Sequence, residues 1–335
     1  MRILVTGGAG FIGSHYVRTA LGGGYPGFDD VQVTVLDKLT YAGNMANLRP
    51  VADCPRLSFV RGDICDPGLL ADVVPSHDYV INFAAETHVD RSISGAAEFV
   101  VANVAGVQVL LQACLDARVR RVVQVSTDEV YGSVATGSWA EDAPLDPNSP
   151  YAASKAGGDL MALAYARTHG LDVCITRCCN NYGPYQYPEK VIPLFVTNLL
   201  DGLPLPLYGD GGNVRSWVHV DDHCQGIQLV LQAGQPGGVY HIGGDTELTN
   251  IELTKAVLDR CGAGWEMVQP VQDRKGHDRR YSLDDSRLRA LGYRPGTTFA
   301  AGLDATVQWY RENRSWWEPL KRPEHDAAIG TGAAT

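Results

Sequence analysis

The 335-residue chain has no dense cluster of lysine and arginine, and its 28 basic side chains are outnumbered by 38 acidic ones, for a formal net charge of −10. A nucleic-acid partner needs a basic footprint, so none is expected. No uninterrupted apolar run approaches the roughly eighteen residues of a membrane span. Met1-Arg-Ile-Leu-Val-Thr enters a strand pattern at once, without the charged, apolar and small-residue regions of a signal peptide. A soluble, cytoplasmic protein without a membrane partner is the expectation. The eight cysteines include no Cys-x-x-Cys pair and no His/Cys cluster at ligand spacing, so reduced, mostly buried thiols and no metal are expected. His88, His219, His223 and His277 read as caps or hydrogen-bond partners. Internal repeats are absent too.

What is present is an alternation of strand-like and helical runs. Strands are expected at 2–5, 32–36, 57–61, 79–83, 122–126 and 172–177, with helices near 12–22, 67–74, 96–118 and 150–169. This βαβα series predicts an α/β fold of Rossmann type: a doubly wound parallel sheet covered on both faces. Beyond Arg177 the pattern changes to a Pro-, Gly-, Tyr- and Asn-rich stretch, then irregularly spaced helices near 249–262 and 299–314. The expected division is a nucleotide-binding domain over 1–178 plus about 214–242, and a smaller α/β substrate-binding region over about 179–213 plus 243–325. A frayed tail is expected over 326–335.

Gly7, Gly10 and Gly13 follow the first strand and open the first helix, where glycines let the turn close and backbone approach a pyrophosphate at a helix N-terminus. Asp37 ends the second strand, placed to bind a ribose 2′-hydroxyl and repel a 2′-phosphate, which favours NAD over NADP. Lys38 beside it is a cation that such a phosphate could use. Asp63, before Ile64, suits an adenine amino group or a turn cap.

Tyr151-Ala-Ala-Ser-Lys155 sets a phenol and an ammonium one helical turn apart, where the ammonium is expected to lower the phenol's pKa and make it a base. Upstream stands Ser126-Thr127-Asp128-Glu129. Adjacent carboxyl groups can divide the roles of proton acceptor and donor, a need of elimination rather than of simple dehydrogenation. Neighbouring side chains on a strand point to opposite faces, so the chain must bend after Ser126 for one substrate to meet both. With little positive charge overall, an anionic substrate leaves Lys190, Arg215, Arg274 and Lys275 as candidate contacts.

With these motifs the chain resembles the extended short-chain dehydrogenase/reductase superfamily. Ala84-Ala85-Glu86-Thr87-His88-Val89-Asp90-Arg91-Ser92, Ser126-Thr127-Asp128-Glu129-Val130-Tyr131-Gly132, Asn180-Asn181-Tyr182-Gly183-Pro184 and Tyr208-Gly209-Asp210-Gly211 narrow the resemblance to its dTDP-glucose 4,6-dehydratase branch. The resemblance implies an NAD-dependent hydro-lyase of deoxysugar biosynthesis, acting on dTDP-glucose as a homodimer through the helices near 96–118 and 150–169. It implies that Tyr151, helped by Thr127, takes the C4 hydroxyl proton, that Glu129 removes the C5 proton, that Asp128 protonates the departing C6 hydroxyl, and that Lys155 holds the cofactor ribose. Phe11, Ile12, Asp37, Lys38, Leu39, Thr40, Asp63, Ile64, Ala84, Ala85, Thr87, Ala102 and Asn181 are the implied cofactor contacts. Thr87, Thr127, Asn180, Lys190, Val191, Pro206, Leu207, Tyr208, Arg215, Asn250, Asp273, Arg274, Lys275, Gly276 and His277 are the implied nucleotide-sugar contacts. An epimerase or decarboxylase of the same superfamily, or a non-catalytic NAD-binding protein, would not need both Asp128 and Glu129.

Overall fold

The computed structural model describes residues 1–321; the expected tail at 326–335 and the last residues of the expected second domain lie outside them. Seven strands form one parallel sheet: β1 (Arg2–Thr6), β2 (Gln32–Asp37), β3 (Leu57–Arg61), β4 (Tyr79–Asn82), β5 (Arg121–Thr127), β6 (Val173–Cys178) and, reached later in the chain, β10 (Val239–Ile242). Their spatial order is β10-β6-β5-β4-β1-β2-β3. The order reverses between β1 and β4, and the crevice at the carboxyl ends there is where such sheets bind ligands. The apolar runs Ile3–Val5 and Val122–Val123 are fully buried because helices cover both faces.

The Pro- and Gly-rich stretch after Cys178 is more ordered than its composition suggested. β7 (Asn180–Tyr182), β9 (Val214–His219) and β11 (Thr246–Thr249) make a three-stranded sheet, while β8 (Leu205–Tyr208) pairs with β12 (Val268–Val271). Helices Val191–Leu200, Asn250–Cys261 and Phe299–Glu312 bury a separate core around Trp217, Val257, Tyr310 and Trp317. Two expected boundaries need correction. Val214–His219 was expected with the larger unit but hydrogen-bonds to β7 and β11, so the return begins with helix Val220–Ala233. Conversely, Leu288 and Tyr293, expected in the smaller region, join the core on the large sheet. Both errors have one cause: a single apolar strand or short helix does not say which of two cores will take it.

The run Ala97–Asp116 is a single long apolar helical stretch of 20 residues, long enough by length and composition to cross a membrane, with 39% of its most apolar window buried. Charged and amide side chains punctuate it. Its middle, Val101–Gly106, widens into a π-helix. There the Asn103 side chain accepts from Glu86 N at 3.0 Å and donates to Glu86 O at 3.0 Å and Ser154 Oγ at 2.9 Å, tying the loop after β4 to helix Pro150–His169. Close approach of the two helices needs Gly158, because a Cβ there would lie 2.5 Å from the Asn103 carbonyl oxygen. Alanine gains about 1 kcal/mol over glycine in a helix interior. The clash outweighs that gain, so Gly158→Ala should destabilise the protein by about 1–3 kcal/mol. A denaturant midpoint unchanged or raised in that variant would contradict this packing.

Candidate active site

The functional side chains converge on one cleft of about 1360 Å³ at the carboxyl ends of the large sheet, roofed by the smaller unit. At its far end, Gly7 holds φ +66° with its would-be Cβ 2.6 Å from Ala84 N, and a Cβ on Gly13 would lie 2.4 Å from Gly7 O. Helix Phe11–Leu21 then begins at Gly10 with no side-chain cap and no acid in its first turn, leaving its donors to an anion. Asp37 is buried, its two carboxylate oxygens accepting from Ala9 N at 2.9 Å and Leu39 N at 2.8 Å. Burial raises its pKa and these backbone donors oppose the rise. A cradle without room for side chains, ending in a fixed carboxylate, fits a dinucleotide with a free ribose 2′-hydroxyl. Lys38 pairs with Asp63 at 2.7 Å and so faces a carboxylate of its own chain. Asp63 also accepts from Cys65 N at 3.0 Å, the turn-capping role weighed for it.

In the middle of the cleft β5 runs through Thr127, and the chain bends at Asp128 into a 3-10 turn, one residue later than expected. Thr127 caps that turn, accepting from Glu129 N at 3.3 Å. Helix Pro150–His169 starts opposite, with Ser149 as N-cap and proline in its first turn, which sets Tyr151 at the helix mouth. Asp128 is 3% exposed, and one of its carboxylate oxygens has no hydrogen-bond partner. Burial first and the Glu129 charge second push its pKa up to about 8, against the pull of Arg215. Glu129 is also raised by burial, opposed by Lys190, Arg215 and Arg274. Both carboxyl groups therefore hold their protons more tightly than free ones, Asp128 with the Glu129 charge adding to the rise and Glu129 with three cations opposing it.

One expectation fails here. Lys155 Nζ donates to Val125 O at 2.7 Å rather than easing the phenol. Burial, then the negative Glu129, hold Tyr151 well above its ordinary pKa, and only Thr127 pulls it down. Placing a phenol beside two carboxyl groups in a dry pocket costs more than one ammonium a turn away returns.

The smaller unit supplies the cations. Arg215 lies over the Tyr281 ring at 4.3 Å and donates to Val214 O at 2.8 Å and Asp278 O at 2.9 Å. Lys190 donates to Thr87 O at 3.1 Å. Thr249, not Asn250, caps the helix that follows, through a capping box with Glu252, so Asn250 faces the cleft. Most expected site residues line this cleft, but Leu39, Leu207, Asp273 and Lys275 do not. Leu207 is buried because alternation along β8 sends Pro206 and Tyr208 to the cleft and Leu205 and Leu207 away from it. Lys275 is exposed, and Asp273 instead binds His277 Nδ1 at 2.7 Å. His88 and His219 cap helices, and His223 bonds Asn181 Oδ1 at 2.7 Å.

A family model described as GDP-mannose 4,6 dehydratase matches residues 4–306. The dTDP-glucose 4,6-dehydratase of Streptomyces niveus is 63% identical over 332 residues, spanning 99% of this chain and 98% of its own. The one from Streptomyces antibioticus is 60% identical over 336 residues, spanning 99% of each. The chain belongs to the dTDP-glucose 4,6-dehydratase family. Its fold superposes on DesIV, the family member from Streptomyces venezuelae solved with NAD and dTDP bound, at a TM-score of 0.95 and 67% identity, covering 96% of this chain and 100% of that one.

Several lining residues of this family member gave no signal in the sequence. Tyr41, Arg91 and Glu189 meet at the cleft mouth: Arg91 lies 3.7 Å from the Tyr41 ring centroid, and Tyr41 donates to Glu189 at 3.1 Å. They come from two turns and the short helix Val89–Ser94, far apart in sequence, and only folding brings them together.

The high pKa of Asp128 has a consequence for stability. A carboxyl group that holds its proton more tightly folded than unfolded loses stabilisation as pH rises from about 4, the unfolded value, to about 8. Asp128→Asn cannot ionise and should therefore flatten the fall in unfolding free energy between these limits, by an amount on the order of a few kcal/mol, read from denaturant melts across that pH range. An equally steep fall in the variant would contradict this account.

Proposed function

We propose that this protein converts dTDP-glucose to dTDP-4-keto-6-deoxyglucose and water, as an NAD-dependent hydro-lyase of deoxysugar biosynthesis. The observation that carries the reading is the pair Asp128 and Glu129, the first held protonated by burial and the second set among the cations Lys190, Arg215 and Arg274, lining with Tyr151 the middle of a cleft that ends in a dinucleotide cradle. NAD, when bound, supplies the hydride acceptor for C4 of the sugar and the donor for C6. The backbone of Gly7 to Gly13 and the carboxylate of Asp37 would hold it, with Lys155 toward its ribose.

The chain's own residues divide the proton transfers. Tyr151 accepts the C4 hydroxyl proton once its own proton has left, a loss that Thr127 favours and that burial beside Glu129 opposes. The C4 ketone acidifies C5–H, and Glu129 takes that proton. Asp128, neutral below about pH 8, gives its proton to the C6 hydroxyl, which leaves as water. The C5 proton held by Glu129 exchanges with solvent, one returns to C5 from Glu129 as C6 is reduced, and the proton gained by Tyr151 passes to solvent as Asp128 regains its own. Lys190, Arg215 and Arg274 balance the negative charge of substrate and acid pair. A homodimer and a cytoplasmic setting complete the reading. Val100, Val101 and Leu160 are 51%, 53% and 57% exposed on the two helices joined at Asn103, an apolar face suited to a second copy. Eight free cysteines suit a reducing compartment.

With dTDP-glucose labelled at C4, product should carry that label at C6 and, in deuterated water, solvent deuterium at C5; NMR of the product reads both. Product without label at C6 would remove the dehydratase assignment. Tyr151→Phe should stop C4 oxidation, whereas Asp128→Asn should leave it while slowing loss of the C6 hydroxyl by roughly 10²-fold or more. Wild-type elimination should also decline as pH rises through about 8, as Asp128 loses its proton. Light scattering at micromolar concentration should give twice the chain mass, and a monomer would defeat the dimer.

A further inference from the structure

Below the cleft lies a buried polar network that the chemistry above does not use. Arg177 on β6 is 2% exposed and Asp159 is fully buried. Arg177 Nε donates to Asp159 Oδ2 at 2.9 Å, and its Nη1 donates to the Tyr131 hydroxyl in a short hydrogen bond. Tyr131 in turn lies 2.7 Å from His241 Nε2, while His241 Nδ1 lies 2.9 Å from Asp284 O. A carbonyl can only accept, so Nδ1 carries the proton and Nε2 is the bare acceptor for Tyr131 O–H. Burial keeps the imidazole neutral, its pKa pushed down to about 4.

The two arms end on different halves of the site. Asp159 follows Lys155 by one turn on helix Pro150–His169, which also carries Tyr151. Tyr131 closes the 3-10 turn that begins with Asp128 and Glu129. A buried ion pair is weak evidence for stability, since apolar groups of like volume are often as good or better. Resting this assignment on the dehydratase reading above, we infer that Arg177 is a positioning residue, setting the spacing between the helix that carries the base and the turn that carries the acid pair, with Asp159 and Tyr131 as its arms.

Tyr131→Phe and Asp159→Asn keep shape and remove one arm each. In Tyr131→Phe, loss of the C6 hydroxyl should slow by about 10-fold or more while C4 oxidation stays within about twofold, so reduced cofactor accumulates during turnover, with KM nearly unchanged. In Asp159→Asn, C4 oxidation should slow instead, its pH profile should shift, and reduced cofactor should not accumulate. Both are compared by circular dichroism with the wild type. Should Tyr131→Phe not fold, His241→Leu, which touches that arm from outside the site, must give the same split. Equal slowing of both steps in the two variants, or no slowing in either, would overturn the positioning role. Wild type that carries C4 label to C6 keeps the dehydratase reading whatever the variants do; wild type that does not turn over would sink both.

Discussion

Burial of one carboxyl group directly beside another, half-buried one is the constraint on which the rest of this structure depends. Asp128 and Glu129 cannot both ionise freely where water is excluded, and the fold answers by giving them unlike surroundings. Asp128 lies within the protein with one oxygen unpaired. Glu129 reaches toward cations from the smaller unit. The large sheet therefore contributes the carboxyls and the smaller unit contributes the cations that oppose the rise in their pKa values.

The same logic explains the architecture around the pair. A parallel sheet leaves its carboxyl ends open, and the strands from β1 to β6 that end there bring residues to one crevice. β1 brings the glycine turn, β2 brings Asp37, β5 brings Thr127 and the acid pair, and the helix before β6 brings Tyr151 and Lys155. The smaller unit is tied over this edge by Lys190 to Thr87, by Arg274 to Asp90 at 2.6 Å, and by Trp316 to Asn47 at 3.0 Å. These contacts cross the cleft rather than line one wall, so they hold the roof over the chemistry.

Much of the large unit was legible because its signals are local. Hydrophobic runs of strand length, glycines after the first strand, and Tyr-x-x-x-Lys at one-turn spacing each state their geometry within a dozen residues. The acid pair was legible for the same reason, and so was Asp37. The smaller unit was not. Its strands are three to six residues long, and composition alone could not separate β7, β8 and β9 from loop or say that β9 leaves the large sheet. Leu207 was misplaced because strand alternation decides its face, and the alternation was invisible until β8 was seen to exist.

What the sequence by itself determined is the kind of chemistry: a dinucleotide turn, a phenol, and two neighbouring carboxyl groups are fixed by residue identity and spacing. Only the tertiary structure decided their protonation. Spacing along one helix predicted that Lys155 would lower Tyr151, but charge interactions act through space and burial acts through surroundings. Once Glu129, Asp128 and a dry wall stand around the phenol, its pKa goes up, and Lys155 turns to Val125 O. Asp128 becomes an acid near pH 8 for the same reason: desolvation belongs to the folded cleft and to no stretch of sequence.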